Sequence, residues 1–188
     1  MIRHLGAADY RAMPWANGRG TTTELARENR PDGSLSWRLS VATVSEDGPF
    51  SPLPGIDRIL TLISGEGFDL MIDGTRHALA PLAPLAFSGD AAVSAVGVKG
   101  PSLDFNVMVD RRDWQASVTL ITSPHRFTVN GGDLAFLYML DASTGGAAAG
   151  DLIVIQDEEV FTFMEGERAL WVRVQRSIKP PSSKNRPS

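Results

Sequence analysis

The chain has 188 residues, 43% hydrophobic and 21% charged, with 18 basic against 22 acidic side chains and a formal charge of −4. That mild acidity argues against a nucleic-acid binder, whose footprint would be basic, and 18 glycines with 12 prolines imply many turns without a low-complexity composition. Cysteine is absent, which removes disulfides, thiolate zinc sites, iron–sulfur clusters and a Cys nucleophile together and makes a reducing cytoplasm the default location.

The opening MIRHLGAADYRAMPW lacks the apolar stretch of a signal peptide, and the most apolar window, 78–87, is short and carries Pro81 and Pro84. No membrane association is expected. Residues 7–13 read as a short helix. Strand-type alternation then recurs, predicting strands over 21–27, 36–44, 58–64, 67–72, 91–98, 102–109, 116–121, 134–140, 152–155 and 169–176, with a helical turn near 111–115. Pro31-Asp32-Gly33, Asp73-Gly74, Gly89-Asp90 and Gly131-Gly132 supply turns between them. The chain therefore reads as all-β.

An offset of 77 residues matches Leu60 with Leu137, Gly89 with Gly166 and Ala92 with Ala169, alongside conservative pairs such as Ile59/Phe136, Ile63/Leu140 and Val93/Leu170. Two similar β-units would explain the length of this all-β chain, and a duplicated barrel is the reading preferred over a single large β-sandwich. The expected division is a first half over 1–110 with the ligand pocket, a second over 111–176 sharing the core, and a flexible tail over 177–188, SIKPPSSKNRPS.

Two strands suggest where chemistry lies. In 102–109, Leu103, Phe105, Val107 and Val109 share one face, with Asp104, Asn106 and Met108 on the other; in 36–44, Trp37, Leu39 and Val41 alternate with Arg38, Ser40 and Ala42. Small residues beside one arginine suit a confined space better than open solvent, so Arg38, Ser40, Asp104 and Asn106 are expected to line one barrel lumen. Asn17-Gly18-Arg19-Gly20 forms a turn that lets backbone approach a ligand, and Thr22 and Glu24 project together from the strand that follows. The Pro-rich loop from Gly48 to Gly55 enters a strand at Arg58.

His4, His77 and His125 are too far apart in sequence to form a metal-ligating pair, and an oxygen site from Glu24 and Asp104 is unforced, so neither metal nor cofactor is expected. Ser-His-Asp order, a phosphate loop and a dinucleotide fingerprint are all missing.

Trp15-x-Asn17-x-x-Gly20-x-Thr22-x-Glu24, Trp37-Arg38-x-Ser40-x-Ala42, Gly48-x-Phe50-Ser51 running to Gly55 and Arg58, and Asp104-Phe105-Asn106-x-Met108 together resemble the HutD family, which includes the Ves proteins. The resemblance is strong over residues 13–111 and general beyond. It implies a cupin-type (RmlC-like) double-stranded β-barrel, duplicated as a bicupin, that binds a small anionic metabolite and moderates histidine utilisation without catalysis. Urocanate or a formyl- or formimino-glutamate fits that description. Cupins that bind metal carry a His, His, Glu, His set, and the matching region here, Gly65 to Gly89, offers only His77. The residues then assigned to the ligand are Trp15, Asn17, Thr22, Glu24, Arg38, Ser40, Ser51, Arg58, Asp104, Asn106 and Met108, with Arg38 and Arg58 forking to carboxylates. The alternative is a metal-independent cupin isomerase or hydrolase with Glu24 or Asp104 as general base. A homodimer is compatible with either.

Overall fold

The computed structural model describes residues 2–15, 20–122, 125–129, 132–143, 145–156, 160–163 and 166–177, with backbone alone for 125–128 and 160–163. Its strands are β1 (Ile2–Leu5), β2 (Arg11–Pro14), β3 (Gly20–Asn29), β4 (Leu35–Val44), β5 (Gly48–Pro49), β6 (Ile56–Gly65), β7 (Asp69–Ile72), β8 (Thr75–Ala78) and β9 (Leu85–Ser88). They continue as β10 (Val93–Val96), β11 (Ser102–Asp110), β12 (Trp114–Ile121), β13 (His125–Thr128), β14 (Leu134–Met139), β15 (Leu152–Gln156), β16 (Val160–Phe163) and β17 (Ala169–Arg176). Among the described residues there is no α-helix and none long and apolar enough to cross a membrane.

The helix expected over 7–13 is instead a single 3-10 turn, Ala7–Asp9, followed by β2. Sequence-distant pairing wins over local propensity here, because β2 adds to β3 through Arg11 to Pro14. Likewise the helical turn near 111–115 shortens to a turn before β12 begins at Trp114.

A six-stranded sheet, β2-β3-β4-β11-β6-β9, and a four-stranded sheet, β5-β10-β7-β8, form the first half; β1-β15-β14-β17-β12 and the pair β13-β16 form the second. The order β4-β11-β6-β9 recurs as β12-β17-β14-β15, and the pair β5-β10 as β13-β16, all antiparallel. In the first half β7 and β8 intervene between β6 and β9, whereas β14 leads to β15 with no described strand between. The 77-residue offset therefore holds for Leu60 and Leu137, on β6 and β14, and fails after that hairpin. It sets Val93 of β10 against Leu170 of β17, whose place in its sheet is that of β11. One strand crosses between halves: β1 pairs with β15, so residues 2–5 lie on the second half's sheet.

The central strands of each large sheet are buried on both faces. Toward one another they contribute Leu25, Trp37, Leu39, Phe105, Val107 and Val109 from the first half, against Phe136, Tyr138, Leu152, Val154, Leu170 and Val172 from the second, in one continuous seam. Trp37 meets Phe136 with ring centroids 5.3 Å apart, and Phe105 stacks on Tyr138 at 4.8 Å. Their opposite faces look into separate lumens. In the first, Val44, Leu60, Leu62, Phe68, Leu70, Val93 and Ala95 cluster; in the second, Ala135, Leu137, Met139, Ile153, Ile155, Ala169 and Trp171 do. Strict period-two alternation on β4 and β11 is thus an alternation of seam and lumen, with neither face left to water.

Candidate ligand-binding cavity

Register fixes which side chains meet in the first lumen. Asn106 of β11 lies between Ser40 of β4 and Leu60 of β6; one step along the same face, Met108 lies between Arg38 and Arg58. Gly65 sits at the end of β6 opposite Ser102 with φ +93°, where a Cβ would run into the Pro101 carbonyl and the Ser102 backbone. Beside it the β6–β11 register slips at Leu103/Asp104, so that Asp104 falls between Ala42 and Leu62.

A cavity of about 470 Å³ opens over these strands, lined by Trp15, Thr22, Arg38, Ser40, Ala42, Val44, Pro49, Phe50, Ser51, Leu53, Arg58, Asp104, Asn106 and Met108. The loop after β5 closes one side, pinned by backbone bonds from Phe50 N to Val93 O (2.8 Å) and Leu53 N to Gly89 O (2.8 Å). Trp15 closes another: its Nε1 donates to Thr22 Oγ1 at 2.8 Å, and its main-chain N–H donates to Gly20 O at 2.9 Å. Thr22→Val should lower stability by about 1 kcal/mol, the net worth of one such bond, read as a shift in denaturation midpoint at constant slope.

Nine of the residues assigned from sequence line this cavity: Trp15, Thr22, Arg38, Ser40, Ser51, Arg58, Asp104, Asn106 and Met108. Asn17 lies outside the described residues. Glu24 is not on the wall. It pairs in register with Ser40, is buried, and its Oε2 is 3.3 Å from Arg27 Nη1. A bulge between Glu24 and Ala26 shifts the strand at that point. Sequence reasoning missed Pro49, Leu53, Val44 and Phe87; the last stacks on Arg58 with Phe50, the guanidinium carbon lying 5.0 and 5.2 Å from the two ring centroids. Phe87 falls in the apolar 78–87 window, and nothing local in that window tells which cation it will meet.

A single polar chain runs through the wall. Arg58 Nη2 donates to Asn106 Oδ1 at 3.1 Å, and Asn106 Nδ2 donates to Asp104 Oδ2. Arg38 Nη2 approaches the Met108 sulfur at 3.0 Å. Burial pulls Arg58 down to about 10, opposed by Asp104 and reinforced by the like charge of Arg38. Arg38 is also lowered, by burial first, with Glu24 opposing and Arg27 adding to the effect. Asp104, 1% exposed, is pushed by burial up to about 7, against the pull of Asn106 and Arg58. Six buried side-chain atoms lack a hydrogen-bond partner among the described residues, and four are here: Arg38 Nε, Ser40 Oγ, Arg58 Nε and Asp104 Oδ1. Native proteins seldom leave such atoms unpaired, and their concentration in one cavity marks it as a place built to meet a polar guest.

The equivalent positions of the second lumen differ in kind. Asp104 and Asn106 correspond by pairing to Ala169 and Trp171, and Arg58 to Ala135. These are buried and apolar, so that lumen is packed by its own side chains. No group of three or more His, Cys, Asp or Glu able to hold a metal ion exists among the described residues. Purified protein is expected to keep its melting temperature in chelator and to show no stoichiometric zinc, iron or manganese by elemental analysis.

The HutD family model matches residues 7–177. An uncharacterised 21.2 kDa protein in the hutC 3′ region of Pseudomonas putida is 40% identical over 118 residues, 61% of this chain and 62% of that protein, so the match spans less than two thirds of that relative. Protein Ves of Escherichia fergusonii is 32% identical over 155 residues, covering 80% of this chain and 78% of its own. The structure of HutD from Pseudomonas fluorescens SBW25 superposes with a TM-score of 0.84 at 28% identity, over 94% of this chain and all of that one. A cupin 2 conserved barrel domain protein from Leptotrichia buccalis has the same fold at 9% identity, TM-score 0.57, over 84% of this chain and 89% of its own. The architecture is thus a cupin-type β-barrel fold, and the chain belongs to the HutD family.

Proposed function

We propose that this protein captures a small anionic metabolite in the first-half cavity and thereby moderates histidine utilisation in the cytoplasm, without turning the ligand over. The observation that carries the reading is the pair of guanidinium groups, Arg38 and Arg58, on the wall of one cavity whose one carboxylate among the described lining residues, Asp104, is linked to Arg58 through Asn106. Two cations facing one acid leave room for one more negative charge, and forked hydrogen bonds suit a carboxylate. The link to histidine breakdown is drawn from the relatives: one is named for its place beside hutC and another is itself HutD. Urocanate and formyl- or formimino-glutamate are the first candidates.

A thermal-shift screen of these acids tests it. A ligand at a hundred times its Kd stabilises a fold that binds it by about 2.7 kcal/mol, which a melting curve resolves easily. Unchanged melting with every acid of the panel would remove the binding reading. A second reading, a metal-independent isomerase or hydrolase, is favoured by one feature: Asp104 titrates near neutral pH inside the cavity, as a general base would. Incubation of any acid that binds, followed by chromatography for a product, separates the two.

A further inference from the structure

Asp104 differs from the rest of the wall in the direction of its hydrogen-bonding demand. Asn106 is fixed at both ends, its Oδ1 accepting from Arg58 Nη2 and its Nδ2 donating to Asp104 Oδ2. Asp104 Oδ2 is therefore an acceptor, and any proton on this carboxyl must sit on Oδ1. Oδ1 has no partner within the described chain, in a side chain 1% exposed. Its cross-strand neighbours, Ala42 and Leu62, do not titrate. The charged groups around it are Arg58 from β6 and Arg38 from β4, while Glu24 on β3 is already tied to Arg27. With a monoanion bound, the two guanidinium charges are matched only if Asp104 is ionised, and an ionised, buried Oδ1 has to be met by a donor.

We propose that Asp104 is the specificity-determining residue of this cavity: it selects, among small carboxylic acids, those that also carry an N–H, by accepting that hydrogen on Oδ1. The inference rests on the anion-binding reading above and adds the class of acid. Acids that offer only an acceptor bind with Asp104 protonated, so the two classes respond oppositely to pH. Both forms of Asp104 are accessible near neutrality, because burial has already brought its free carboxyl up to about 7.

The test is calorimetric titration of the full-length protein with two matched acids, pyrrole-acrylic and furan-acrylic, whose rings offer an N–H and an oxygen at the same place. At about pH 8 the pyrrole acid should bind about tenfold more tightly, and the preference should shrink toward about pH 6 as Asp104 takes up its proton. In Asp104→Asn the amide, held by Asn106 through its own oxygen, turns an N–H toward the ligand, so the preference should invert to the furan acid and lose its pH dependence. Equal binding of the two acids by wild type, with a ratio flat in pH, overturns the selection and leaves anion capture standing. Failure of both acids to bind overturns the two together. A persistent pyrrole preference in a folded Asp104→Asn places the selection elsewhere. Should that variant not fold, the wild-type ratio across pH decides alone.

Discussion

Arg58→Ala is expected to abolish useful affinity for the anion found in the screen, costing roughly 2 to 5 kcal/mol of binding, because the carboxylate then sits in a desolvated lumen without its forked partner. The same change should also lower stability without ligand. Arg58 is buried, fills the space between Phe50 and Phe87, and satisfies Asn106 Oδ1. Its removal leaves an amide oxygen unpaired and the Asp104 carboxyl without its nearest cation. Arg38 offers the contrast: its contact is with the Met108 sulfur, a weak acceptor, so Arg38→Ala should weaken binding with little change in melting. Arg76, exposed and paired with Asp69, should affect neither. Titration and melting of the three variants separate the roles. Undiminished affinity in folded Arg38→Ala and Arg58→Ala would refute the assignment of both arginines.

The second large effect is a pH dependence of stability that runs against the usual carboxylate pattern. Asp104 has an ordinary value of 3.8 in the unfolded chain and about 7 when buried. The folded state therefore holds a proton that the unfolded state gives up, and the stability this provides is full below about pH 4 and disappears as pH rises through about 7. A shift of about three units corresponds to about 4 kcal/mol over that window. Asp104→Asn, isosteric and non-titrating, should lose the slope, so that the difference in unfolding free energy between variant and wild type grows in the variant's favour from about pH 4 to about pH 7. Exposed acids held low by hydrogen bonds, such as Asp47 and Asp90, titrate below this range and cancel in the difference. Denaturant titrations at a series of pH values measure it. A constant difference would show that Asp104 is ionised throughout.

The cavity was largely legible in the sequence because its strands alternate so cleanly. What alternation could not say is where the polar face points, since lumen and solvent share a period of two. The deciding fact lies elsewhere in the chain: Phe136, Tyr138, Val154 and Val172 cover the apolar face of β4 and β11, so that Arg38, Ser40, Asp104 and Asn106 on the other face line a cavity instead of open solvent. Glu24 does share a face with Thr22, since the two pair in register with Ser40 and Ala42, but its carboxylate turns to Arg27, and alternation carries no information on that. Short strands such as β5 and β8 carry too few residues for any pattern and form only because a longer neighbour offers an edge. The 77-residue repeat fails past β6, the Gly89/Gly166 pair included, because the extra β7–β8 hairpin in one half changes the spacing between otherwise equivalent strands.

The pairing of β1 with β15 also bears on how the chain is made. His4 Nε2 lies 2.6 Å from Asp151 Oδ2, and the Tyr10 hydroxyl reaches Gly150 O at 2.9 Å, contacts that span 147 and 140 residues. Residues 2–5 must therefore wait for residues 150–155 before they find their place. During that interval the seam face of the first sheet, with Trp37, Leu39, Phe105 and Val107, is uncovered. Such a topology folds slowly and exposes sticky intermediates, so synthesis of this protein should depend on holding chaperones more than its modest size suggests.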